Sequence, residues 1–165
     1  MNLRDYKESD AIEILSWIDN EREFRLWSAD RYEKYPAIPE DINNNYNKLQ
    51  KSGRFFPLTL EENGKIVGHL IIRNPNGDTK IARLGFIIVD KKIRGKGYGR
   101  KLIEEAILYA REQLGVAEIN LGVFTINESA LKCYESVGFK TVGVEKSVYK
   151  FHQEEWDCAE MIYIK

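Results

Sequence analysis

The stretch LGFIIVDKKIRGKGYGRKLIEEAILYA, residues 84 to 110, decides the fold. Leu84 to Val89 form an apolar run that fits a central strand covered on both faces. Leu102, Ile103, Ala106, Ile107, Ala110 and Leu114 then recur at intervals of three and four, the spacing of an amphipathic helix, and Gly115 is a suitable terminator. Between strand and helix stand Arg94, Gly95, Lys96, Gly97, Tyr98, Gly99 and Arg100. A glycine-rich turn at this point leaves amides unpaired at the positive helix end, where pyrophosphate oxygens bind well. Arg94, Lys96, Arg100 and Lys101 add local positive charge. Two familiar nucleotide loops do not fit. A dinucleotide fingerprint starting at Gly95 needs a third glycine where Arg100 stands, and a Walker loop needs serine or threonine where Gly97 follows Lys96. The plain alternative is a tight strand-helix turn with surface charges.

Working outward, FFPLTLEENGKIVGHLIIR at 55 to 73 reads as two strands about the tight turn Glu62, Asn63, Gly64, Lys65, and another turn, NPNGD, precedes the strand ending at Val89. Leu3, Arg4 and Tyr6 suggest an edge strand. Ser9 or Asp10 caps a helix carrying Ile12, Leu15 and Trp17, and Pro39 opens one carrying Ile42, Tyr46 and Leu49. Residues 21 to 37 show no single period. Downstream come a strand over 117 to 123, a short helix over 128 to 136, and a strand pair at 138 to 148 and 156 to 164. Helices inserted between strands imply an α/β (α+β) mixed sheet rather than a sandwich.

The chain has 165 residues with 25 basic and 26 acidic side chains, which sets one domain, 1 to 165, as the expectation and removes any global attraction to phosphate backbones or anionic lipid. A nucleic-acid module is disfavoured further, because the basic loop is short and has no recognition helix beside it. Cys133, Cys158, His69 and His152 have no metal-ligand spacing, so no metal site is expected. The charged start and the lack of an apolar run near ~18 residues point to a cytoplasmic protein without a membrane partner.

Asn127 begins the short helix and Tyr134 follows seven residues on, about two turns later and near the same face. Taken alone, Asn127 reads as a helix cap and Tyr134 as a packing aromatic. With Arg94, Gly97, Gly99, Ala130 and Gly138-Phe139 at these distances, the chain resembles the general N-acetyltransferase (GNAT) superfamily, most strongly over residues 55 to 140. The resemblance implies an acyl-coenzyme A N-acyltransferase fold whose central parallel strands splay apart, flanked by helices. It implies acetyl coenzyme A as cosubstrate: pantetheine bonded near Ile88 and Val89, pyrophosphate on the amides from Gly95 to Arg100, Asn127 beside the pantetheine or its neighbouring loop, and Tyr134 near the sulfur. Many relatives have proline where Lys91 stands, and often a carboxylate on the strand before the loop, which residues 84 to 89 lack.

The implied reaction is direct transfer in a ternary complex. A neutral amine attacks, an amide near Ile88 stabilises the oxyanion, and Tyr134 protonates the leaving thiolate. Cys133 is the rival nucleophile, but it adjoins Tyr134 without sharing its helix face, and no histidine is nearby in sequence. His69, in an apolar strand, reads as a packed histidine. Glu21, Asp30 and Glu33 are equal candidates to contact or deprotonate the acceptor. Trp27, in an acidic-aromatic segment, belongs to pocket or core. The acceptor is an amine of a small molecule or peptide; a protein N-terminal or lysine acetyltransferase and a noncatalytic acyl-coenzyme A sensor stay open, as do monomer and homodimer.

Overall fold

A computed structural model describes residues 1 to 165. One seven-stranded sheet runs through the chain: β1 (Asn2–Asp5), β2 (Phe55–Glu62), β3 (Lys65–Arg73), β4 (Ile81–Val89), β5 (Glu118–Phe124), β6 (Phe139–Phe151) and β7 (Glu154–Tyr163), in the order β1-β2-β3-β4-β5-β7-β6. Five helices accompany it: α1 (Asp10–Ser16), α2 (Glu21–Ser28), α3 (Pro39–Gln50), α4 (Tyr98–Glu112) and α5 (Glu128–Val137). Only β4 and β5 are parallel neighbours. This is the mixed α/β architecture expected from the element order.

The two faces have different cores. On one, Leu102, Ile103, Ala106, Ile107 and Ala110 of α4 pack with Leu70, Ile72, Leu84, Leu121 and Met161 of the sheet. On the other, Phe24, Tyr32, Ile42 and Tyr46 from the helical front cover Phe55 and Ile71. Asn63 and Gly64, with φ of 52° and 76°, make the expected tight turn between β2 and β3.

Two readings of the front half need correction. The buried stripe of α1 is Ala11, Ile14 and Trp17, whereas Ile12 is 68% exposed, because the helix starts at Asp10 and turns the chosen face outward. Residues 21 to 28 form α2, too short for a period to emerge but capped by Asn20, whose side chain accepts from the Glu23 amide at 2.9 Å.

The central feature is where β4 and β5 part. They pair from Ile81–Glu118 to Leu84–Leu121 and no further. Beyond that point β5 follows β7, through Gly122–Glu160, Val123–Ala159 and Phe124–Cys158. β4 stays with β3 but takes up a bulge: Gly85 faces Ile71 and Ile88 faces His69, so Phe86 and Ile87 together oppose one residue. Phe86 adopts a φ of +48°, a conformation costing about 1–3 kcal/mol for a bulky residue. Trp27 of α2 holds it there. Its indole N–H donates to the Phe86 carbonyl at 2.9 Å, and the two rings lie 5.2 Å apart. Trp27 therefore joins the front layer to the bend that opens the sheet.

Trp27→Phe keeps an aromatic ring but removes the donor. We expect a loss of about 1–3 kcal/mol in urea unfolding, the cost of stranding a poorly hydrated carbonyl; unchanged stability would show that ring packing alone holds the bulge.

Candidate active site

The glycine loop sits at the mouth of the splay. A 3-10 turn over Lys91–Ile93 follows β4, and α4 begins at Tyr98 with Gly97 as its N-cap. Gly95 and Gly97 have φ of 77° and 87°, and a Cβ at either would meet nothing within 4 Å. Glycine is thus required here for left-handed backbone rather than for room inside the protein. Gly97 offers no side-chain cap, and the first bonded amide of the helix is that of Lys101, to the Gly97 carbonyl at 3.0 Å. The amides of Gly95, Gly97, Tyr98, Gly99 and Arg100 consequently have no backbone acceptor. Together with the helix dipole they make an anion-binding cradle.

The side chains of the loop divide differently from the amides. Arg94 is drawn back into the fold, donating to the Trp17 carbonyl at 3.1 Å and the Val89 carbonyl at 3.4 Å. Tyr98 donates its hydroxyl to Glu62 at 2.6 Å, so only its amide faces the cradle's task. Arg100 pairs with Glu104 and Lys101 with Glu105 along the helix, while Lys96 is exposed and makes no ion pair. Lys91, at the position where many relatives carry proline, bonds Asp19 and joins the strand exit to the end of α1.

Register also assigns directions to the end of β4. The Asp90 amide donates to the Val67 carbonyl at 3.0 Å, and the same register pairs Gly68 with Val89 and His69 with Ile88. Bonded and non-bonded pairs alternate in an antiparallel ladder, so Ile88 bonds toward β3 and the peptide groups of Val89 turn toward β5. Arg94 meeting the Val89 carbonyl agrees with that direction.

On the far side of the splay, Asn127 does cap α5, its Oδ1 accepting from the Ala130 amide at 3.4 Å and the Ser129 hydroxyl at 3.2 Å, while its Nδ2 makes no bond within the chain. Tyr134 is 7% exposed and packs edge-on to Phe139. Its hydroxyl has no protein partner, yet it is not among the sealed orphan groups, which are the indole N–H of Trp17 and of Trp156 and one nitrogen of His69. It therefore reaches water. Burial, and then Cys133, push its pKa far up, so the phenol keeps its proton at any physiological pH. A phenol in that state can donate a proton but not take one up.

The rivals fall away for physical reasons. Cys133 is half-buried against Gly99, where a Cβ would lie 3.4 Å from Sγ, and burial raises its pKa, so it is a thiol with no histidine beside it. His69 is fully buried, with Nε2 2.8 Å from the Tyr46 hydroxyl, and burial lowers its pKa to about 3. Glu21 leans on Arg25 at 3.8 Å; Asp30 and Glu33 are exposed. Two carboxylates on the front face of the sheet, Glu160 of β7 and Glu118 of β5, are ones that sequence reasoning missed. No group of three or more His, Cys, Asp or Glu comes together that could hold a metal ion. No helix is long and apolar enough to cross a membrane.

Residues 16 to 139 match the profile of the Acetyltransferase (GNAT) family. The chain belongs to that family. Among GNAT relatives it is 38% identical to N-acetylaspartate synthetase of Xenopus tropicalis over 108 residues, 63% of this chain and 36% of that protein. It is 36% identical to N-alpha-acetyltransferase RimI of Mycobacterium tuberculosis over 91 residues, 53% of each. The chain thus spans about half or less of the length of these relatives. In fold it is similar to spermidine N-acetyltransferase of Vibrio cholerae, solved with CoA and spermine, with a TM-score of 0.82 at 23% identity, covering 98% of this chain and 93% of that one.

The buried neutral His69 has a measurable consequence. A folded pKa near 3 against about 6.5 unfolded means that the unfolded chain takes up the proton first. Its contribution to stability is whole above pH 6.5 and is lost as pH falls toward 3, at about 1.4 kcal/mol per pH unit. Urea titrations from pH 7 to pH 4 should show at least this one-proton slope; a flat profile would mean that the ring is charged in the fold.

Proposed function

We propose that the protein is an acetyl coenzyme A-dependent N-acetyltransferase acting on a primary amine of a small molecule or peptide. The observation that carries this reading is the cradle of free amides, those of Gly95 and of Gly97 to Arg100, at the mouth of the β4–β5 splay. Family membership and a fold shared with a CoA-bound acetyltransferase support it. Pyrophosphate lies on the cradle with Lys96 adding charge. Pantetheine runs along the strand end, bonded to the inward-turned peptide of Val89 beside Ile88, with the free Nδ2 of Asn127 opposite. No metal takes part.

Transfer is direct. The acceptor amine attacks the thioester carbonyl from the front face, since the α4 and α5 side supplies the cradle and Tyr134. The Val89 amide stabilises the developing oxyanion, the Tyr134 hydroxyl gives its proton to the departing thiolate, and the proton that the nitrogen loses as the amide forms returns through water to the phenol, yielding amide and free coenzyme A. The attacking amine must be neutral. For a lysine-like amine of pKa about 10.4 that costs about 4.6 kcal/mol at pH 7, and for an α-amine near 8 only about 1.4 kcal/mol. With the front acids paired or exposed and Glu160 bound by Arg83, the cleft lacks a free buried carboxylate base, which favours the weaker amine.

Tyr134→Phe should lower kcat by about 10²–10⁴-fold, the usual contribution of a general acid, with little change in coenzyme affinity. Because the phenol's pKa is raised, the wild-type profile should show no alkaline loss from Tyr134 below pH 10. Stopped-assay kinetics with calorimetric Kd for acetyl coenzyme A test both; an unchanged kcat rejects Tyr134 as the acid. Gly97→Val should fold at a cost of about 1–2 kcal/mol and lose coenzyme affinity well beyond that; unaltered affinity in the folded variant would remove the cradle.

A further inference from the structure

β3 and β4 set Arg73 and Arg83 directly opposite each other, on the face that carries the front aromatic cluster. Like charges in that relation destabilise a sheet. Only Arg83 has a counter-ion: Glu160 of β7 accepts from it through two bonds of 2.8 and 3.0 Å, and Asn120 Oδ1 accepts at 3.0 Å. The arrangement is built around it, because a Cβ at Gly122 would lie 2.6 Å from Arg83 Nη2. Glu160 sits opposite Gly122, so Arg83 leans toward the splay, which opens after Leu84–Leu121.

Arg73 has none of this. It is half-buried and makes no hydrogen bond, ion pair or ring contact, and burial followed by Arg83 and Arg31 lowers its pKa. The other carboxylate nearby, Glu118, accepts from Asn120 Nδ2 at 2.8 Å and lies two residues further from the splay. A half-buried guanidinium with all its donors free is costly unless an anion completes it.

We infer that Arg73, beside an Arg83 fixed by Glu160, binds a carboxylate of the acceptor, so that the acceptor is an amino acid or similar small carboxylated amine and not a polyamine. This rests on the acetyl-transfer reading of the cleft. The planar fork of Arg73 suits a carboxylate bidentately. From Arg83 to the Phe86 bulge is about 10 Å of strand, a span that the guanidinium side chain and a small amino acid bridge together.

The test is acetyl coenzyme A turnover by the wild-type protein on amino acids, the same amino acids as carboxamides, and spermidine. Free acids should exceed their amides in kcat/KM by at least about tenfold, the scale of a hydrogen bond to a charged group. Arg73→Gln should raise KM for the acids about 10–100-fold with kcat changed only a few-fold, and abolish the preference for acid over amide; Arg73→Lys should recover part of it. Because Arg73→Gln relieves a like-charge pair, its melting temperature should hold or rise, separating lost binding from lost fold. Equal or better turnover of amides or spermidine, or an unchanged KM in folded Arg73→Gln, overturns the carboxylate site and leaves acetyl transfer standing. Bound acetyl coenzyme A with no turnover on any amine overturns the transfer reading and this inference with it.

Discussion

The hydrogen bond from Trp27 to the Phe86 carbonyl supports the rest of the arrangement. A parallel pair of strands has no reason of its own to stop pairing after four residues. Here β4 is bent by two residues opposing one, at a backbone angle that favours glycine, and the aromatic layer of α2 and α3 holds the bent form. β5 is drawn the other way by its ladder with β7. The opening is thus set by packing on one side and by strand pairing on the other, so a single front-layer residue bears on a cleft whose cofactor side it does not touch.

The same front layer reaches the loop. Arg94 donates to the last carbonyls of α1 and β4, and Lys91 bonds Asp19, so the turn that carries the free amides is tied to the helical front at two points. A cradle of backbone amides works only if held in place, because its donors cannot adjust by rotating a side chain. Arg94, expected to add positive charge at the loop, also ties it to its neighbours by donating to the carbonyls of Trp17 and Val89.

The parts of the fold visible in the sequence were those with local causes. The periodic helix after the loop, the Asn63-Gly64 turn and Pro39 at a helix start each state their structure within a few residues. Gly85 inside an apolar run was a signal of the bulge that sequence reasoning passed over, since an isolated glycine in a strand often marks one. What stayed hidden depends on register. That Arg73 faces Arg83, that Glu160 reaches back to β4, and that Ile88 and Val89 point opposite ways follow from pairings set by residues far apart in the chain. α2 was missed because eight residues give two turns, too few for a stripe to stand out, and its cap at Asn20 had to carry the signal alone.

Charge balance across the cleft links its two ends. The protein as a whole is nearly neutral, but the cleft concentrates unpaired donors in two places, backbone amides at the mouth and a guanidinium on the floor. On the floor, Glu160 is committed to Arg83 and Arg73 has no ion-pair partner; an acceptor carboxylate would supply one, whereas an ammonium would add like charge. At a few ångströms in a partly desolvated site that difference amounts to several kcal/mol, even with an effective dielectric near 20.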